Sequence, residues 1–204
     1  MSLDYVEALS GPLAARAKIN SAIMSLLLEF GNNRARSPED YAQRFIKDYP
    51  ESPKMFAVQR WFVSKTVKVL GPTPPVFSLE YWEESCTGGA HPDSSTLYLN
   101  IDAETGEPVT LAAVLKEGSM PRLTQIAETH FRVVRKLTPT ADLKEAYFDF
   151  PNNRFRLNDT YGFTGKSLLF FYNYYEVGPR SNGTTEVEIP YTEIRDLLRP
   201  GLIK

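Results

Sequence analysis

The sequence predicts an α+β fold, in which an antiparallel β-sheet packs against helices and an N-terminal helical segment precedes it. Two observations carry this prediction. Apolar residues recur at helical spacing before residue 50, whereas alternating β-branched and aromatic runs, separated by Gly- and Pro-rich turns, follow residue 56. A length of 204 residues suits one such domain with an extension. We therefore divide the chain into a helical segment, 1–55, and an α+β domain, 56–204.

The N-terminal segment contains two predicted helices. The first covers Leu13–Phe30, where apolar residues recur on one face, and it ends at Gly31. The second begins after Ser37, a preferred N-cap residue, and carries Pro38 in its first turn. We expect this amphipathic pair to cover the sheet or to pack on itself.

Three long strands follow in the prediction. Ala57–Leu70 and Val76–Cys86 are rich in β-branched and aromatic residues, and the Pro-rich stretch Gly71–Pro75 between them predicts a hairpin turn. A loop from Thr87 then leads into another alternating run that ends at Asp102. The stretch from residue 77 to residue 102 is thus a predicted strand, loop and strand.

The C-terminal half mixes helices and strands. Thr110 is expected to cap a short helical turn, and Pro121–Leu137 is a predicted helix whose inner stripe includes His130 and Val134. The run from residue 168 to residue 175 is apolar on both faces, which predicts a central strand. Strands are also expected at Tyr147–Phe150, Phe155–Leu157, Ser167–Glu176 and Val187–Pro190, with an exposed loop at residues 158–165 and a last helix capped by Thr192.

Charge and hydropathy exclude two classes of function. The net charge is −2 and the Lys and Arg residues are dispersed, so the chain lacks the basic stripe of a nucleic-acid-binding protein. No apolar run reaches the roughly 18 residues that a membrane helix needs. Met1-Ser2-Leu3 before Asp4 is typical of a start placed on a chain whose natural signal or anchor has been removed. We expect contact with a membrane only through such an N-terminal anchor.

The residues that commonly carry chemistry form no recognised motif. His91 and His130 are the only histidines and Cys86 is the only cysteine, at spacings that match no standard metal or nucleophile motif. We interpret Cys86 as a small buried hydrophobe, His91 as a loop residue bonded to the backbone, and His130 as a core or rim residue. Glu80 and Glu84 lie opposite Tyr81 on a predicted strand, where a solvated face is the simpler interpretation than a carboxylate pair for glycoside hydrolysis. The sequence therefore predicts no enzyme, no metal and no cofactor.

The stretch CTGGAHPDSSTLYLNIDAETGEPVTLAAVL resembles the C-terminal domain of RsiV-type anti-sigma factors, which also occurs in PdaC-type peptidoglycan deacetylases. The matching residues are Thr87–His91, Asp102, Thr105-Gly106 and Leu111–Leu115. Later matches are the run LLFFYNYYEV, Gly178-Pro179, Gly183 and the run VEIPY, so that the resemblance covers roughly Ala57 to Leu198. Cys86 departs from the pattern, which has an aromatic or polar residue there.

The resemblance implies a domain outside the cytoplasmic membrane, in the periplasm or at the cell surface of a bacterium. In RsiV-type proteins this domain binds lysozyme, whereas in the deacetylases it accompanies a separate catalytic domain whose metal-binding motifs are absent from this sequence. We therefore expect a non-catalytic binding or sensing domain of the bacterial envelope, with a lysozyme-like protein or a peptidoglycan fragment as its partner. The alternatives are an enzyme acting on cell-wall carbohydrate and a purely structural accessory domain.

The candidate binding residues lie on two predicted loops. The first holds the turn around the paired glycines, and the second presents aromatic side chains that are suited to stack on sugars or to anchor a protein. For these aromatic residues exposure and burial are equally compatible with the sequence, whereas Tyr172 and Tyr174 are expected in the core. The candidates are Thr87, Gly88, Gly89, His91, Tyr161 and Phe163.

Overall fold

The computed structural model describes residues 1–31, 33–49, 60–71, 75–88 and 91–201. The beginning of the predicted strand at Ala57, most of the Pro-rich turn, and Gly89 of the candidate binding loop lie outside these ranges. The described residues form a mixture of helices and strands, which confirms the α+β fold. The division between 1–55 and 56–204 stays a prediction.

The described strands belong to two main sheets and one small ladder. They are β1 (Ser2–Tyr5), β2 (Glu29–Phe30), β3 (Asn33–Arg34), β4 (Phe62–Gly71), β5 (Val76–Cys86), β6 (Asp93–Asp102), β7 (Tyr161–Phe163), β8 (Ser167–Tyr172) and β9 (Thr185–Pro190). The helices are α1 (Leu13–Leu27), α2 (Pro38–Asp48), α3 (Leu111–Val114), α4 (Met120–Val134) and α5 (Tyr191–Ile194), with single 3-10 turns at Pro151–Asn153 and Arg180–Asn182.

The first sheet has the strand order β1-β4-β5-β6. β4, β5 and β6 are antiparallel neighbours, with Val67 opposite Tyr81 and Leu79 opposite Leu99, so the predicted hairpin and the predicted strand, loop and strand are both confirmed. β1 adds to the edge of β4 in parallel, which the sequence does not predict. Its four residues are too few to show a periodic pattern, and only the pairing with β4 makes them a strand.

Helix α1 covers one face of the first sheet. Its buried residues Ile19, Ile23 and Leu27 recur every four positions and pack on the sheet face that includes Val67 and Leu79. Helix α2 begins as predicted, because the side chain of Ser37 accepts a hydrogen bond from the backbone N–H of Asp40. Tyr41 of α2 clusters with Val63 of β4, so that both helices lie on the same side of this sheet.

The second sheet has the order β7-β8-β9 and is antiparallel. β8 is central, as predicted, and its residues Leu168, Phe170 and Tyr172 join the main core. Helix α4 covers this face with Leu123, Ala127 and Phe131. The ring of Phe131 lies 5.0 to 5.7 Å from four other aromatic rings, those of Phe148, Phe150, Phe155 and Tyr172.

Four predictions for this half are wrong. Phe155–Leu157 is not a strand, because Phe155 packs on Phe131 from an irregular segment, while Tyr161–Phe163 in the predicted loop pairs with β8. Residues 147–150 form no strand, since positive φ at Tyr147 turns the chain there. The inner stripe of α4 contains Phe131 instead of His130, and Val134 is exposed.

The last helix also begins earlier than expected. α5 starts at Tyr191 with Pro190 at the N-cap, so Thr192 lies inside the helix. The chain then turns, and Leu198 forms a bridge with Leu115. The helix ends at Ile194, before the predicted stop at Pro200-Gly201.

Candidate functional site: the cleft between the two sheets

The two sheets face each other, and their facing surfaces carry polar side chains. Successive residues of a strand point to opposite sides of the sheet. The face of the first sheet that α1 does not cover therefore carries Glu80 and Trp82 of β5 and Tyr98 of β6. On the second sheet, the residues that alternate with the α4-facing core include Phe171 of β8 and Glu186 of β9. Where the facing surfaces separate, a cleft opens between them.

At one end the sheets are joined by a buried polar network. The hydroxyl of Ser78 donates to Oδ1 of Asn100 at 2.6 Å, and Nδ2 of Asn100 donates to the carbonyl oxygen of Tyr161 at 2.9 Å. The backbone N–H of Phe163 donates to the Ser78 hydroxyl at 2.7 Å. Ser78 and Asn100 are both buried, so each of these bonds avoids an unpaired buried polar group.

At another point the sheets are joined by Asn173, which follows β8. Its Oδ1 accepts from the backbone N–H of Thr96 at 2.7 Å, and its Nδ2 donates to the carbonyl oxygen of Thr96 at 2.9 Å. Asn173 is itself held by Glu176, whose carboxylate accepts from the Asn173 backbone N–H at 2.8 Å. With the Ser78–Asn100 network, this pair of bonds holds the two sheets at a set separation.

Close backbone approach completes the junction. A Cβ atom at Gly162 of β7 would lie 2.5 Å from Cδ2 of Leu70 and 3.1 Å from Cδ1 of Tyr98. A larger residue at this position would have to displace the side chains of Leu70 and Tyr98. The cleft walls combine strand residues with residues of the turns next to β7, β8 and β9.

The cleft consists of two adjoining cavities. The first has a volume of about 360 Å³. It is lined by Lys68, Glu80, Trp82, Ser94, Ser95, Thr96, Tyr98, Phe171, Asn173, Tyr174, Thr184 and Glu186. The second, of about 470 Å³, is lined by Leu70, Glu80, Thr164, Gly165, Lys166, Leu169, Glu186 and Glu188. We call the two together the inter-sheet cleft.

Carboxylates dominate the electrostatics of the inter-sheet cleft. Glu80 forms an ion pair with Lys68, with Nζ and Oε1 2.9 Å apart. Partial desolvation raises the pKa of Glu186, and the negative charges of Glu188 and Glu80 raise it further, while Lys68 acts in the opposite direction. Because Glu186 is exposed, solvent screening keeps this effect modest. Burial raises the pKa of Tyr98, with Glu80 and Glu186 adding to the rise, so its hydroxyl is a neutral donor at physiological pH.

Tyr174, which lines the cleft, is linked through Arg180 to Pro92, the residue that follows the first candidate loop. The guanidinium of Arg180 lies 4.5 Å from the centre of the Tyr174 ring, and its Nη2 donates to the carbonyl oxygen of Pro92 at 2.9 Å. Tyr174 is only partly buried, so the expectation that it belongs to the core is wrong. Tyr172 is 1% exposed, and its expected core position is confirmed.

The first candidate loop is on the surface but does not line the inter-sheet cleft. Thr87, Gly88 and His91 are exposed. Nδ1 of His91 lies 3.1 Å from the carbonyl oxygen of Pro92, which confirms its expected contact with the backbone. Cys86 is 1% exposed, as expected for a buried small hydrophobe. The binding roles assigned to this loop stay predictions.

The second candidate loop differs from expectation. Phe163 is fully buried in the main core, so the option that it is exposed is wrong; pairing of β7 with β8 turns its side chain inward. Tyr161 is partly buried, and its hydroxyl accepts from the backbone N–H of Leu111 at 2.7 Å. It lines a separate cavity of about 570 Å³ beside Leu111 and Met120.

Several residues of the inter-sheet cleft are not identified by sequence reasoning. The strand pattern predicts a solvated face for Glu80, but that face meets the second sheet and its side chain is only 17% exposed. Glu186 and Glu188 do carry a signal, because the alternation TEVEIP places them on one side of β9. Asn173 carries none, because its partner Thr96 lies 77 positions away.

Neither a metal centre nor a membrane-spanning helix is found in the part of the chain that the structure describes. Among these residues, no group of three or more His, Cys, Asp and Glu side chains is arranged to hold a metal ion. His130 bonds instead to Glu193, with Nε2 and Oε2 2.9 Å apart at the rim of the protein, as expected. None of the described helices is both long and apolar enough to cross a membrane.

One family model matches part of the second half of the chain. Residues 112–192 match the model of a family described as a protein of unknown function, DUF3298. This stretch begins in α3 and ends in α5, so it contains α4 and the whole second sheet. No curated protein matches the chain.

Two solved bacterial structures share the fold. A DUF3298 family protein from Pseudomonas aeruginosa PAO1 aligns with a TM-score of 0.75 and 18% identity, covering 98% of this chain and 85% of that one. A member of the same family from Bacteroides fragilis NCTC 9343 aligns with a TM-score of 0.71 and 18% identity, covering 97% and 84%. Residues 112–192 thus match DUF3298 in sequence, and the whole α+β chain shares its fold with two DUF3298 proteins.

Proposed function

We propose that this chain is a non-catalytic binding domain of the bacterial envelope, working outside the cytoplasm, and that the inter-sheet cleft binds the glycan of peptidoglycan. The observation that carries the proposal is the lining of the cleft. Aromatic rings of Trp82, Tyr98 and Tyr174 stand beside hydroxyl, amide and carboxylate groups. Sugars present apolar ring faces and hydroxyl edges, and this mixed lining matches both.

The preformed shape of the cleft supports a binding role. The Ser78–Asn100 network and Asn173 join the two walls through hydrogen bonds within the protein. A site that needs no reorganisation loses less conformational entropy when a ligand binds. The cleft is therefore suited to hold a rigid chain.

The resemblance to RsiV-type and PdaC-type domains supports the proposed location. Both types act at the cell envelope, and one of them takes a protein ligand, lysozyme. For this chain a lysozyme-like protein is the competing ligand. The cleft favours the glycan, because its aromatic and hydrogen-bonding groups converge in a concave site, whereas a folded protein would contact a broader surface.

Calorimetric titration tests the proposal. The purified chain is titrated with soluble muropeptides and, separately, with lysozyme, and we expect micromolar binding, equivalent to roughly −8 kcal/mol, to the muropeptides. Trp82→Ala should weaken this binding, since it removes an aromatic wall. Tyr147→Ala is the matched control, because Tyr147 is an exposed aromatic residue that does not line the cleft.

The titration separates the alternatives. Binding to lysozyme alone, unaffected by Trp82→Ala, would replace the glycan proposal with the protein-ligand hypothesis. If neither ligand binds, the proposed binding function is contradicted and the structural accessory role is left as the explanation.

The carboxylates of the cleft favour a second candidate, a hydrolase acting on cell-wall carbohydrate. Partial desolvation, together with the charges of Glu188 and Glu80, raises the pKa of Glu186, and general acid catalysis on a glycosidic bond requires a raised pKa in one member of a carboxyl pair. Glu80 would then be the partner group. Under this hypothesis soluble peptidoglycan is cleaved, and Glu80→Gln and Glu186→Gln each abolish cleavage while binding persists. No cleavage by the wild-type chain over prolonged incubation would exclude it.

A further inference from the structure

We infer that the inter-sheet cleft is one continuous groove that holds a linear oligosaccharide of several sugar units, whose rings carry no acidic group. This inference rests on the proposed glycan-binding function and specifies its ligand. It follows from how the two cavities meet, from their length along the strands, and from the difference between their ends.

The two cavities meet at a pair of carboxylates. Glu80 of the first sheet and Glu186 of the second line both cavities. The two side chains line the cleft from different sheets, at the place where the two cavities adjoin. A ligand that fills both cavities therefore passes between them, and we call this position the waist.

The length of the groove exceeds one sugar ring. On β9 and the residue before it, the lining runs from Thr184 in the first cavity to Glu188 in the second. Four residue steps of a β-strand span about 13 Å, at about 3.3 Å per residue. The strand backbone thus runs alongside the groove, and the waist lies near the middle of this length.

The two ends differ in chemistry. The first cavity contains four aromatic residues, which suit the flat face of a pyranose ring. They are Trp82, Tyr98, Phe171 and Tyr174. The second cavity has no aromatic lining residue among those that the structure describes, and it offers Lys166, Thr164 and Glu188 instead. We therefore assign the anchoring position to the first cavity and the extension of the chain to the second.

The balance of charge selects against anionic chains. Of the side chains in the lining of the two cavities that are charged at neutral pH, three are carboxylates and two are amines, namely Glu80, Glu186, Glu188, Lys68 and Lys166. The carboxylates accept hydrogen bonds from hydroxyl and acetamide N–H groups of a neutral sugar. The acidic groups of a uronic-acid chain would be repelled at the waist.

A chain-length series tests the inference. Oligomers of β-1,4-linked N-acetylglucosamine, from the single sugar upward, are titrated calorimetrically against the intact chain. We expect the affinity to increase at least roughly tenfold between the disaccharide and the longest oligomer, which corresponds to about 1.4 kcal/mol. A uronic-acid oligomer of matched length should bind more weakly than the neutral chain.

Two variants locate the subsites. Trp82→Ala should weaken the binding of every oligomer, whereas Lys166→Ala should weaken only those long enough to pass the waist. Lys144→Ala is the control, since Lys144 is an exposed amine outside both cavities. Thermal unfolding of each variant shows that it is folded.

The outcomes separate this inference from the proposed function. Affinity that is independent of chain length, or equal effects of Lys166→Ala on short and long oligomers, would overturn the continuous groove while leaving glycan binding intact. No binding of any oligomer or muropeptide would overturn both. Equal binding of the uronic-acid chain would overturn the selection for rings without an acidic group.

Discussion

The side-chain amide of Asn173 bonds to both backbone groups of Thr96 and so connects the second sheet to the edge strand of the first. An amide side chain can replace a peptide group in this way because it offers one donor and one acceptor in the same plane. The contact satisfies two backbone groups of β6 and also forms part of the first cavity wall. Stability and the shape of the cleft are therefore coupled at this residue.

Replacing Asn173 should affect both properties. Asn173→Ala leaves the backbone groups of Thr96 without these partners, and we expect the free energy of unfolding to fall by about 1–3 kcal/mol. Urea denaturation measures this loss. Asn33→Ala is the control, because Asn33 is exposed on β3 and should change stability by less than about 0.5 kcal/mol. Similar losses in both variants would show that the Thr96 contact contributes nothing specific.

The close approach of the sheets at Gly162 gives a second prediction. In Gly162→Ala the new Cβ would overlap Leu70 and crowd Tyr98, which we expect to lower the free energy of unfolding by about 1–3 kcal/mol. Gly165→Ala is a matched control, since a Cβ atom added at Gly165 would meet no neighbouring atom within 4 Å. Adding Leu70→Ala to Gly162→Ala should recover part of the loss. Unchanged stability of Gly162→Ala would mean that the sheets separate at little cost.

The buried amine of Lys65 gives a prediction about pH. Lys65 is 1% exposed, and its Nζ donates to the carbonyl oxygen of Glu29 at 2.7 Å and lies 3.4 Å from Oε2 of Glu83. Desolvation lowers the pKa of Lys65 below its usual value of 10.5, although Glu83 and Glu29 oppose this effect. Between the lowered pKa and 10.5 the unfolded chain binds more protons than the folded one, so this group increases stability as pH rises.

We therefore expect the stability of the wild type to rise relative to Lys65→Met as the pH increases from neutral towards 10.5. Urea denaturation of both proteins across this range gives the difference in the free energy of unfolding. Lys68→Met is the control, since Lys68 is largely exposed. A constant difference between wild type and Lys65→Met would contradict the lowered pKa.

The neighbouring Tyr41 should limit stability in strong alkali. Its ring lies 4.8 Å from Nζ of Lys65, and burial, with the charge of Glu83, raises its pKa from 10.0 to about 12. The corresponding stabilisation is complete below pH 10 and is lost as pH rises to about 12, because the unfolded chain releases the phenol proton first. Its magnitude is on the order of 3 kcal/mol.

In Tyr41→Phe this alkaline loss should be smaller than in the wild type. Absorbance of the ionised phenol, followed together with unfolding, reports the titration. Tyr147→Phe is the control, because Tyr147 is 74% exposed. Equal alkaline loss in the Tyr41→Phe variant and the wild type would show that Tyr41 does not control this transition.

Elements with strong local signals can be predicted from the sequence. Ser37 and Pro38 begin α2 as expected, and the β4–β5 hairpin and central β8 follow from their apolar patterns. The predictions fail where a local pattern is weak or shared by two segments. Phe155–Leu157 and Tyr161–Phe163 both alternate, yet only the second finds a partner in β8.

The fold class, most helices and long strands, and the buried position of Cys86 follow from the order of the residues alone. These features depend on periodicity and capping, which act over a few residues. The inter-sheet cleft, in contrast, exists only through tertiary packing. Its walls come from strands far apart in the chain, Glu80 and Glu186 line it from different sheets, and Asn173 reaches Thr96 across 77 positions. Such contacts depend on how two sheets pack, and no local pattern of residues encodes that packing.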